Sequence, residues 1–112
     1  MTLLIESERA LPGDYNPPAH LARVLKQLGR WDEGLAANAR ARALAYGPRL
    51  ASIHAVDADL HTGKGDLASA RASVESQVAA LEALPVGQKL PTRLAAAKAR
   101  LATLTPAVVL AP

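Results

Sequence analysis

The sequence predicts an all-α fold: a short α-solenoid of antiparallel helix hairpins, about five helices in all, closed by a C-terminal capping helix. Three observations carry this. Apolar residues recur at i, i+3, i+4 and i+7 in successive segments, and clusters of Gly and Pro separate those segments. Alanine, the best helix former, makes up about a fifth of the chain, whereas Phe is absent and aromatics reach only 3 %, so strand material is scarce. Finally, the turn Leu28-Gly29-Arg30-Trp31-Asp32-Glu33 has a weaker echo at Gly65-Asp66-Leu67-Ala68-Ser69-Ala70, and the two glycines lie 36 residues apart.

The 112 residues suffice for one domain spanning 1–112. Its first segment, 1–11, reads as a short helix ended by Leu11-Pro12-Gly13-Asp14. Asn16-Pro17-Pro18 opens the next helix, because proline is tolerated in a first turn. Leu21, Val24, Leu25 and Leu28 form its apolar stripe. Asp32 and Glu33 suit the positive end of the helix that follows, which Gly47-Pro48 stops. A helix from about Leu50 to Thr62 buries Leu50, Ile53, Val56 and Leu60. After Gly63-Lys64-Gly65, Asp66 is a natural N-cap for a helix carrying Leu67, Ala70, Val74, Val78 and Leu81. The last helix starts near Pro91, shows Leu94, Ala97, Leu101 and Leu104 on one face, and ends at Thr105-Pro106. An uncharged tail, 105–112, follows. With so much alanine among the apolar residues, the core should be thin, its helices packed closely on small side chains.

Over residues 15–84 the spacings resemble the tetratricopeptide repeat (TPR) family, whose period is about 34 residues. Repeat one spans 15–48, repeat two 51–84, and 90–104 is the cap; 1–11 reads as the tail of a preceding repeat's second helix. The combination of Gly-Asp-Tyr-Asn-Pro-Pro (13–18), Leu-Gly-Arg-Trp-Asp-Glu (28–33) and Ala-Leu-Ala-Tyr-Gly-Pro (43–48) is similar to repeat segments that follow thioredoxin-like domains in some bacterial proteins. No Cys-x-x-Cys is present, so redox chemistry does not carry over. Two departures stand out: Gly34 occupies a position where the family packs Ala, and His54, Asp57 and His61 fall where it packs large apolar residues.

Composition narrows the function classes. The absence of Cys removes disulfides and thiolate chemistry. The net charge of +3 is spread over scattered Lys and Arg without a clustered basic stripe, which argues against nucleic-acid binding. The three apolar residues Leu3-Leu4-Ile5 are too few for a signal peptide or a membrane span, so a cytoplasmic location is expected if Met1 is the natural start. The constellation His54-x-x-Asp57-x-x-x-His61 falls within one arc of a helix, but its histidines sit two turns apart, about 10 Å along the axis. That is too far for one metal ion, so a polar His-Asp-His network is the expectation, with no metal and no cofactor. Ser69, Ser73 and Ser76 read as solvent contacts, and Trp31 as an anchor between helices.

The resemblance implies a non-catalytic adaptor, not an enzyme, that binds a peptide or protein segment in a concave groove lined by the first helix of each repeat. Mapped onto this chain, the groove residues are Arg23, Lys26 and Gln27 from repeat one and Ser52 and Asp59 from repeat two. Arg23 and Lys26, at i and i+3, suit an acidic partner or a C-terminal carboxylate, with Asp59 giving the groove an opposite pole. The alternatives are a self-associating module, such as a homodimer through exposed terminal helices (Leu3, Leu4 and Ile5 at one end; Val108, Val109 and Leu110 at the other), or an accessory domain of an enzyme of thioredoxin or other fold.

Overall fold

Pro12-Gly13, Gly29, Gly47-Pro48 and Gly65 divide the chain where the sequence places its breaks. The computed structural model, which describes residues 2–85, 87 and 90–104, shows six helices among them. They are α1 (Thr2–Ala10), α2 (Asn16–Gln27), α3 (Trp31–Leu44), α4 (Pro48–Lys64), α5 (Leu67–Glu82) and α6 (Pro91–Leu104), with no strand among the described residues. The short first helix, four helices in the middle and the last helix thus make six rather than about five.

The turns after α2 and α4 are built alike. Gly29 and Gly65 take φ +72° and +82°, a left-handed conformation that glycine adopts without a Cβ penalty. At the first, the Arg30 amide donates to the Leu25 carbonyl; at the second, the Asp66 amide donates to that of His61 (both 2.9 Å). This closes the orphan carbonyls of each helix end. Asp66 then caps α5 as expected, its carboxylate accepting from the Ser69 amide at 3.1 Å. Helix α4 runs two residues further at each end than the sequence suggests, from Pro48 and through Gly63 and Lys64. A Cβ on Gly63 would stand 2.7 Å from the Trp31 ring, so the ring lies directly on the helix backbone.

Each helix packs on its successor, and α2 also meets α4. The short connections turn successive helices antiparallel, and the Cα extents of 53 × 36 × 18 Å leave room for two helix layers. The core is thin and alanine-rich. Leu21, Ala22, Leu25 and Ala37 join α2 to α3; Ala19, Ala41 and Ile53 join α2, α3 and α4; Ala51, Leu81, Leu84 and Ala97 join α4, α5 and α6. Leu60, Leu81 and Val74 are among the largest fully buried side chains, each worth roughly 1.5–3 kcal/mol of burial.

Among the stripe residues, Leu50 and Val56 are half-buried rather than buried, and Leu28 and Leu67 are 58 % and 54 % exposed. Leu28 caps the end of α2 and Leu67 opens α5. Helical period marks the face a residue shares, but not where the neighbouring layer stops. Gly34 is buried because Leu60 needs its space: a Cβ there would lie 2.7 Å from Leu60 Cδ2.

Candidate functional site

Helix α4 has two working faces. At about 100° per residue, Ser52, Val56 and Asp59 share one side, while His54, Asp57 and His61 lie on the opposite one. The first side looks toward α2 and α6, and the second toward α3 and α5.

On the first side Asp59 is a bridge. Its Oδ2 accepts from Lys26 Nζ of α2 at 3.0 Å, and its Oδ1 lies 2.7 Å from Arg100 Nη2 of α6. The expected polarity, cations at one end and Asp59 at the other, is therefore incorrect. Folding brings Lys26 onto Asp59, and Lys26 is occupied within the chain. The reason is positional: one carboxylate on the middle helix is flanked by cations on both neighbours, and proximity neutralises it.

Further along the same face, a cleft of about 260 Å³ has Arg23, Ser52, Gln77 and Arg93 on its walls and Ala51, Ala55, Val56 and Leu81 in its apolar part. Arg23 and Arg93 are exposed and have no ion-pair partner among the described residues. Gln77 Oε1 is buried and receives no hydrogen bond. Of the five residues expected in a groove, Arg23 and Ser52 thus meet in one cleft, Lys26 and Asp59 meet in an ion pair, and Gln27 is exposed and lines neither. Lys26 is paired with Asp59, and Arg23 shares its cleft with Arg93. Sequence reasoning missed Arg93, Arg100 and Gln77, although a signal was there: Ser52/Asp59 and Arg93/Arg100 are each seven apart, two turns on one face.

On the opposite side, Asp57 is 3 % exposed. Its Oδ1 accepts from Asn38 Nδ2 at 2.7 Å, and its Oδ2 from Arg42 Nη1 at 2.5 Å. Asn38 also donates to the Ile53 carbonyl at 2.8 Å. The polar network is accordingly Asn38-Asp57-Arg42, between α3 and α4, not His-Asp-His along α4. Asn38 and Arg42 sit at i and i+4 on α3, so both reach one carboxylate. Burial pushes the His54 imidazole below its ordinary pKa, and Arg42 acts in the same direction, while Asp57 acts the other way.

Across an open cleft of about 350 Å³, His54 and His61 face Ser69, Ser73 and Ser76 of α5. The serines, distant from any histidine in sequence, are thus near two in space. Neither histidine hydrogen-bonds a serine or Asp57 among the described residues, and His61 Nδ1 is buried without a partner. A nucleophile–base–carboxylate relay is therefore not assembled among these residues. The described residues include no group of three or more His, Cys, Asp or Glu placed to hold a metal ion.

At the N-terminal end, Leu4 packs on the Leu21–Ala37 core, whereas Leu3 is 77 % and Ile5 40 % exposed. Leu4 is thus covered by its own chain, contrary to the expectation for all three. Val108, Val109 and Leu110 lie outside the described residues. No helix among the described residues is long and apolar enough to cross a membrane. Comparison with protein-family models, with curated proteins and with solved structures finds no match to this chain.

Proposed function

We propose that the chain is a TPR-like protein-interaction module without catalytic activity of its own, holding a peptide or protein segment along the face of α2, α4 and α6. The observation that carries this reading is the charge on that face. Arg23, Lys26, Arg93 and Arg100 border it and Asp59 is the carboxylate among them, so two guanidiniums remain to attract an acidic partner. The paired glycine turns and the resemblance of residues 15–84 to tandem repeats support the module assignment.

The test is an NMR titration of the isotope-labelled chain with pooled short random peptides. Shifts should concentrate at amides of α2, α4 and α6 around Arg23, Ser52 and Arg93, and vanish in the Arg23→Glu/Arg93→Glu variant. Absence of any peptide-induced shift on this face overturns the reading. The exposure of Leu3 and Ile5 favours a second reading, self-association through α1. In that case sedimentation at micromolar concentration shows a dimer that Leu3→Lys/Ile5→Lys converts to a monomer.

A further inference from the structure

The cation-rich face consists of two tiers that differ at one position. In the first tier, α2 gives Lys26, α4 gives Asp59 and α6 gives Arg100, and the central carboxylate holds a cation on each of its oxygens. In the second tier, α2 gives Arg23 and α6 gives Arg93, but two turns before Asp59 the middle helix has Ser52. The cations are there, and the carboxylate between them is not.

Resting on the reading of this face as a peptide groove, we infer that the second tier is a site for one acidic side chain of the partner segment, whose carboxylate lies between Arg23 and Arg93 as Asp59 lies between Lys26 and Arg100. Three features agree. Arg23 and Arg93 have no ion-pair partner among the described residues. Ala55 and Val56 beside them give the methylene stem of an aspartate or glutamate an apolar surface. Gln77 Oε1, buried and without a donor, needs an N–H, and the backbone amide of an inserted peptide supplies one. A carboxylate with an adjacent N–H donor meets all these demands at once. Free inorganic phosphate brings neither a methylene stem for Ala55 and Val56 nor a peptide N–H for Gln77.

The experiment titrates the labelled chain with four blocked probes: acetyl-Ala-Ala-Glu-Ala-Ala-amide, the same peptide with Gln in place of Glu, the same with phosphoserine, and inorganic phosphate. The Glu peptide should shift the Arg23 and Arg93 side-chain resonances and the Gln77 amide, with the Gln peptide weaker by about tenfold or more. Ser52→Asp supplies the missing carboxylate from within. It should abolish the response to the Glu peptide while raising the thermal midpoint, and Arg23→Gln should weaken binding without altering the fold seen by circular dichroism. Equal binding of the Gln peptide, stronger binding of phosphoserine or phosphate, or a Glu response unchanged by Ser52→Asp each overturns the inference. If the Gln peptide shifts the α2–α4–α6 face as strongly as the Glu peptide, the groove reading stands and only the carboxylate assignment falls. If no probe and no pooled peptide touches the face, both fall.

Discussion

Leu60 occupies the space that a side chain on Gly34 would need: a Cβ built there stands 2.7 Å from its Cδ2 and 3.4 Å from its Cδ1. Leu60 is fully buried, so any shift that makes room for a Cβ must be taken up inside the core. The glycine costs α3 about 1 kcal/mol of helix propensity relative to alanine, and the contact it permits between α3 and α4 offsets that. Gly34→Ala should therefore destabilise the protein by about 1–3 kcal/mol, as overpacking does in a tight core, despite its better propensity. Urea unfolding measures this. In the Leu60→Ala background the same substitution should be neutral or stabilising, and a stabilised Gly34→Ala single variant contradicts the packing described.

The Asn38-Asp57-Arg42 network predicts a larger effect from one carboxylate than from any exposed ion pair. Asp57→Ala leaves the Asn38 amide without one of its two acceptors and frees Arg42, and should cost about 2–3 kcal/mol. Removing the exposed Glu33, which pairs with Arg30, should cost less than about 1 kcal/mol. Chemical denaturation of the two variants side by side checks the ranking.

His54 gives stability a sign with pH. Its folded-state pKa lies below the ordinary 6.5 because burial disfavours the imidazolium. Below about pH 6.5 the unfolded chain therefore binds the proton first, and stability is lost as the pH falls from there toward the folded-state value. Above pH 6.5 this contribution is fully present. Stability curves between pH 5 and 8 should show a slope in the acid half of that range that His54→Gln reduces. A slope of the opposite sign would place the imidazole in a different environment.

The two-tier face also works in reverse. Asp59→Ser should turn the Lys26–Arg100 tier into a copy of the Arg23–Arg93 tier, adding a second site for the Glu-containing peptide. Two partly exposed ion pairs are lost, so the stability cost should be about 1 kcal/mol or less. Saturation at two peptides per chain, against one for the unmodified protein, is the expected readout by calorimetry.

Much of this protein is determined locally. Helical period in Leu21-Val24-Leu25, the short-range hydrogen bonds that the left-handed Gly29 and Gly65 close, and the Asp66 cap each depend on neighbours within a few residues, and the chain displays them without knowledge of any other helix. The same local logic gave Ser52 and Asp59 one face and His54, Asp57 and His61 another. What tertiary structure decided is who meets whom. Asp57 turns to Asn38 and Arg42 rather than to the histidines on its own helix, because α3 packs there and a buried carboxylate needs charge and donors from across the interface. Lys26 pairs with Asp59, and Arg23 comes to line one cleft with Arg93, 70 positions away in the sequence. Neither outcome follows from spacing along the chain, since both depend on the rotation of one helix against the next. In this alanine-rich core, small side chains such as Ala22, Ala37, Ala51 and Ala97 at the helix contacts, together with Gly34, set that rotation.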